Sequence, residues 1–135
     1  MTAAALALQT ALFARLTTDA GMLAAVGGPR IHDAVPQPPE FPYVTFGQSI
    51  VRDAASDLAA ADEHQLTFHV WSRARGRAQT WQIIEALRTA LHEQSIALDG
   101  HRLINLRLEF AEARRLTDAD YIHGLARFRA LTEPL

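Results

Sequence analysis

The chain contains no cysteine. That excludes a disulfide framework, a thiolate metal site and a cysteine nucleophile together. Lysine is absent too, so all 13 basic residues are arginine. With the abundant alanine, this reads as GC-rich coding bias before any adaptation to phosphate. Charge of one sign is also lacking: the formal net charge is −2. No global field draws such a chain to DNA or to an anionic membrane. Long apolar runs are missing, none approaching the roughly 20 residues that span a bilayer. The N-terminal MTAAALALQTALFARL has no basic n-region, and Gln9, Thr10 and Arg15 interrupt it. It reads as an amphipathic helix with Leu8, Leu12, Phe13 and Leu16 at helical spacing, rather than as a signal peptide.

What is present suits one globular domain over residues 1–135, with 49% hydrophobic and 21% charged residues. A chain of this length buries about 65–70% of its unfolded surface, enough for a core without staples. A first helix is expected over residues 3–16, and a second over AGMLAAV, capped by Thr18 or Asp19 and stopped by Gly27-Gly28. RIHDAV reads as a brief strand and PQPPEFP as a stiff connector. YVTFGQSIVRD is a strand expected to put Val44, Phe46 and Ile50 on one face. EHQLTFHVWS is another, with Leu66, Phe68 and Val70 opposite Thr67, His69 and Trp71. The segment between them, residues 54–62, exceeds a usual hairpin loop and is expected to be a helical turn or a mobile arm.

A third helix is expected from Arg75 or Arg77 to His92, burying Ile83, Ile84, Leu87, Ala90 and Leu91. Asp99-Gly100 marks a hairpin turn into a long strand in which Ile104, Leu106, Leu108 and Phe110 share a face. TDAD is a further turn. The closing strand puts Ile122, Ala126 and Phe128 on one face and His123, Arg127 and Arg129 on the other. Helices, strands, helix, strands in that order point to an α+β fold, a largely antiparallel sheet with helices packed on one face. The polar face meets water or another subunit.

Catalytic and metal chemistry find little support. The six histidines are scattered at no metal-ligand spacing and read as surface or partly buried strand residues. There is no G-x-S-x-G elbow and no Walker loop, and Asp118 and Asp120 suit a turn. Neither a metal nor a cofactor is expected. A small ligand-binding or enzymatic α+β domain remains the alternative, through a pocket the sequence does not disclose. Arg73, Arg75 and Arg77 in SRARGR lack the several glycines of a phosphate cradle. They suit a solvated junction, a subunit contact or a nucleic-acid contact. Arginines in a helix's first turn would oppose its dipole, and carboxylates of a neighbouring chain would relieve that.

Three stretches in order, RIHDAVPQ…FPYV, HVWSRARG and the closing HGLARFRA, resemble the tail terminator, or tail-completion, proteins of long-tailed phages, prophages and alphaproteobacterial gene transfer agents. The resemblance covers nearly the whole chain. It implies a curved antiparallel sheet with helices against it and a six-membered ring at the head-proximal end of the tail tube. The ring stops tube growth and then presents its other surface to the head-completion protein. No catalytic residue carries across, so no enzyme is expected. The implied partners are further copies of the chain, the tail tube protein and the head-completion protein. DNA would pass only transiently through the lumen, and no membrane is involved. Assembly would take place in the bacterial cytoplasm, at the head-tail junction of a phage-like particle. On this reading Asp53, Asp57 and Asp62 meet Arg73, Arg75 and Arg77 between neighbouring subunits. Trp71 serves as an exposed interface aromatic, and Arg127 and Arg129 face the lumen or the ring surface.

Overall fold

Asp19 divides the N-terminal apolar stretch into two helices. In the computed structural model, which describes residues 2–116 and 120–135, α1 runs Ala4–Thr18 and α2 Ala20–Val26. Asp19 is extended between them, and its carboxylate accepts a hydrogen bond from Met22 N at 3.0 Å. This satisfies one of the N–H groups a helix start leaves unpaired. Gly27 ends α2 in the left-handed region at φ 87°, where a Cβ would be strained. The strands are β1 (Ile31–His32), β2 (Tyr43–Asp53), β3 (Asp62–Ser72), β4 (Ala97–Leu98), β5 (His101–Arg115) and β6 (Ile122–Pro134); α3 (Ala78–Leu91) lies between β3 and β4. The expected TDAD turn falls, apart from Asp120, outside the described residues.

The six strands form one curled sheet in the order β1-β2-β3-β6-β5-β4. Only β1 and β2 are parallel, so the fold is α+β with a mostly antiparallel sheet. Leu8, Leu12 and Leu16 of α1 and Ile83, Leu87 and Leu91 of α3 are buried with Leu66, Phe68, Val70, Ala126 and Phe128 in one core. Each such side chain stabilises by about 1.5–3 kcal/mol when fully buried. Phe13 does not join them; one residue on from Leu12, it turns about 100° away and is exposed. Helix α3 packs tightly on the sheet at Gly124. A Cβ there would lie 2.5 Å from Thr80 Cγ2 and 3.1 Å from Val70 Cβ.

Three bulges break the expected alternation. Phe46 pairs with Phe68 but Ser49 with Leu66, so one extra residue enters β2. Ile50 is thereby carried to the face opposite Val44 and Phe46, and Val51 takes the core-side position beside His64. In β5 the register shifts between Leu103 and Asn105 and again between Leu108 and Phe110. Leu103, Leu106, Leu108 and Ala111 consequently pack on the core, whereas Ile104 and Phe110 are exposed. His64 departs from the surface reading of the histidines. It is fully buried on the core side, its Nε2 2.8 Å from Thr132 Oγ1.

Candidate interface surfaces

On the helix-free face, ladder neighbours Tyr43, Trp71 and His123 form one row across β2, β3 and β6, and Thr45, His69 and Leu125 the next. Alternation puts these side chains on one side, and the ladder brings their rings together. Trp71 lies 4.6 Å from His123, 5.8 Å from Tyr121 and 6.3 Å from Tyr43, centroid to centroid. Its indole N–H donates to Thr45 Oγ1 at 3.3 Å. Trp71 is therefore half-buried within its own subunit and is not the exposed aromatic expected of it. Trp81, on the outward side of α3, is 44% exposed. The signal for Trp81 was its place off the Ile83–Ile84–Leu87 stripe.

His69 Nδ1 and His123 Nε2 are 2.7 Å apart in this cluster, so one nitrogen donates and the other accepts. Burial holds both imidazoles below their ordinary pKa. For His123 the neighbouring His69 and Arg114 add to that, and Glu112 opposes it. Burial raises the Tyr43 hydroxyl, and Tyr121 adds to the effect against Arg73.

The three arginines of the strand-to-helix junction are exposed and precede the first turn of α3. Arg77 is the N-cap residue, Arg75 offers its carbonyl to the Arg115 guanidinium, and Arg73 lies 4.2 Å over the Phe41 ring. Because none occupies the first turn, the dipole no longer demands a carboxylate partner. Buried Ser72 fixes the junction, donating to Gln79 Oε1 at 2.5 Å and accepting from Ala74 N at 3.1 Å.

Asp53, Asp57 and Asp62 lie at the other end of the same strand pair. Asp53 and Asp62 face each other across the ladder, and Asp57 sits in the exposed connection 54–61. That connection is neither a helical turn nor unbonded. Ala54 N donates to Ala61 O, Ser56 N to Ala59 O, and Ser56 Oγ accepts from Ala59 N at 3.2 Å. Its tip presents Leu58, 97% exposed. β3 rises about 33 Å between the two charged groups. Asp53, Asp57 and Asp62 therefore meet Arg73, Arg75 and Arg77 only if two molecules supply them.

Arg127 and Arg129 do lie on the helix-free face. Arg129 Nε donates to Glu63 Oε1 at 2.9 Å and stands opposite Arg107 in the ladder. Arg127 lies 5.2 Å from the Phe110 ring centroid, its Nε buried without a partner. A cleft of about 300 Å³ borders Arg107, Glu109 and Arg129, and an apolar one of about 450 Å³ runs beside α1 past Leu6, Ala11 and Ala97. At the second, the Thr2 hydroxyl donates to Asp99 Oδ2 at 2.5 Å, an exposed pair. Among the described residues no three metal-ligating side chains converge, and no helix is long and apolar enough to cross a membrane.

The sequence family described as tail completion protein gp17 matches residues 10–133. The chain belongs to that family. A chain in a virion of a native gene transfer agent particle is 34% identical, with a TM-score of 0.88, covering 98% of this chain and 99% of that one. The bacteriophage SPP1 gp17 protein, 22% identical, shares the fold with a TM-score of 0.61 over 94% of this chain and 89% of its own. No curated protein matches. The tail completion protein is structural, a component of the tail and not an enzyme.

Proposed function

We propose that this tail completion protein closes into a six-membered ring on the head-proximal end of the tail tube, ends tube polymerisation and joins the tail to the head-completion proteins. The observation that carries this reading is the family match over residues 10–133 on a chain whose sheet has two chemically different ends. Asp53, Asp57, Asp62 and the Leu58 tip occupy one end. Arg73, Arg75 and Arg77, with Arg114 and Arg115 nearby, occupy the other. A ring with its strands along the axis presents those ends as its two faces, one for the tube and one for the head. A terminator needs that asymmetry, because a ring with equivalent faces would accept another tube ring. Arg127 and Arg129, on the helix-free face, then border the lumen, where DNA passes without being held.

Electron microscopy of particles made without the gene tests the reading. Separate filled heads beside uncapped or over-long tails, rescued by restoring the protein, are expected. Normally joined particles with tails of normal length would overturn it.

A further inference from the structure

Both long edges of the sheet are open. Among the described residues, β1 covers β2 only at Val44 and Thr45, leaving 49–53 without a neighbour beyond the bulge. On the far side, β4 covers His101 and Arg102, and Glu93 and His92 reach Leu106 and Leu108; among the described residues no strand pairs with 110–115 on that side. Strand edges with unpaired N–H and C=O groups are templates for another strand. These two runs hold no proline, and apolar Ile50, Val51, Phe110, Ala111 and Ala113 fill their middles. Val51 is 44% exposed and Phe110 43%. Central β3, by contrast, alternates between half-buried and buried residues from Glu63 to Ser72.

We infer that residues 49–53 of one copy pair antiparallel with residues 110–115 of the next, so that the ring is held by one continuous sheet. The inference rests on the ring reading above. Strand direction agrees: β2 and β6 run one way and β3 and β5 the other, so β5 beside a rotated copy's β2 is antiparallel without inversion. Backbone polarity agrees as well. Ala54 donates to Ala61, and ladder bonding alternates, so the N–H groups of Ser49, Val51 and Asp53 point away from β3.

The required step is also reasonable. Val51 shares a row with Ala130, and Ala111, on the same face, shares one with Ala126, four residues along β6. That is about 13 Å along the strand, and the four long strands are about 19 Å wide. Neighbours stepping by this ratio tilt their strands by about 35°, at the lower end of the 35–45° typical of closed barrels. Two edges of one chain that fit each other this way make a heterologous contact that closes, and the occupant is a second copy of this chain.

The absence of native cysteine makes the contact directly testable. Val51→Cys protein is mixed with a series carrying one cysteine at each position from 110 to 115 and assembled on tail tubes under mild oxidation. Paired strands hold their Cα atoms within disulfide reach. Cross-linked dimers are expected at one or two positions of the series and not with Val51→Cys alone. Val51→Pro, which removes an outward N–H and leaves the β2–β3 ladder intact, is expected to fold normally and to cap no tubes. Rings visible by microscopy without cross-linking at any position, or rings built from folded Val51→Pro protein, would overturn the edge pairing and leave the ring reading standing. Tubes with no ring of the unmodified protein would overturn both.

Discussion

His69 Nδ1 and His123 Nε2 share one hydrogen bond, 2.7 Å long, with the Trp71 ring against both imidazoles. The arrangement needs at least one neutral imidazole, and protonating both would place two donors against each other. His64 adds a third depressed imidazole, lowered mainly by burial, with Asp62 opposing. All three bind protons more readily unfolded, where the ordinary pKa is about 6.5. Their contribution is full above about pH 6.5 and is lost as pH falls below it. Thermal unfolding at constant ionic strength should therefore show a lower Tm at pH 5 than at pH 7.5. His123→Gln, which keeps a partner for His69 without titrating, should flatten part of that fall.

Gly124→Ala places a methyl 2.5 Å from Thr80 Cγ2 and 3.1 Å from Val70 Cβ, where α3 meets the centre of the sheet. Small-to-large changes in a packed core cost about 1–3 kcal/mol. Urea unfolding should give a loss in that range with an unchanged m-value. No loss would mean that α3 can lift from β6.

Asp19→Ala removes the hydrogen bond to Met22 N that starts α2. Loss of such a cap costs about 0.5–2 kcal/mol. Asp19→Asn should retain most of the stability in the same denaturation assay, since an amide oxygen caps equally well.

Leu58→Ser and Arg75→Glu separate assembly from folding. Both residues are exposed, and surface changes away from caps and cores stay within about ±0.5 kcal/mol. Tm should hold for both, while capped tubes and joined particles decrease. If the two groups of charges are opposite ring faces, Arg75→Glu should leave ring closure intact and weaken docking in a salt-dependent way. Loss of ring closure itself would instead support direct pairing of Arg75 with a neighbour's aspartates.

Much of the architecture was legible from periodicity. Leu66, Phe68 and Val70 and the α3 stripe Ile83, Ile84 and Leu87 are buried as their spacing demands. These elements are regular because each packs across its whole length. The edge strands were not legible in the same way. A bulge shifts every later side chain to the other face without any residue announcing it, and so Ile50, Ile104 and Phe110 were misplaced. The burial of His64 followed from the parity of Leu66 and Phe68, but its chemistry suggested surface. Trp71 was read as available because alternation reports a face and not what covers that face. Its cover comes from Tyr43 at the start of β2 and from Tyr121 and His123 around the start of β6, two segments distant from it in sequence.

The pairing of β3 with β6 also sets an order of events during synthesis. β3 has β2 on one side as soon as it is made, but its other partner begins only at Ile122, 50 residues beyond Ser72. At roughly 5–20 residues per second, β6 is complete about 3–12 s after β3 leaves the ribosome. Through that interval the β2–β3 hairpin carries Leu66, Phe68 and Val70 with one ladder unmade, in a state prone to pairing with another nascent chain. Folding yield should therefore depend on how densely ribosomes are loaded on the message, before any tube exists to be capped.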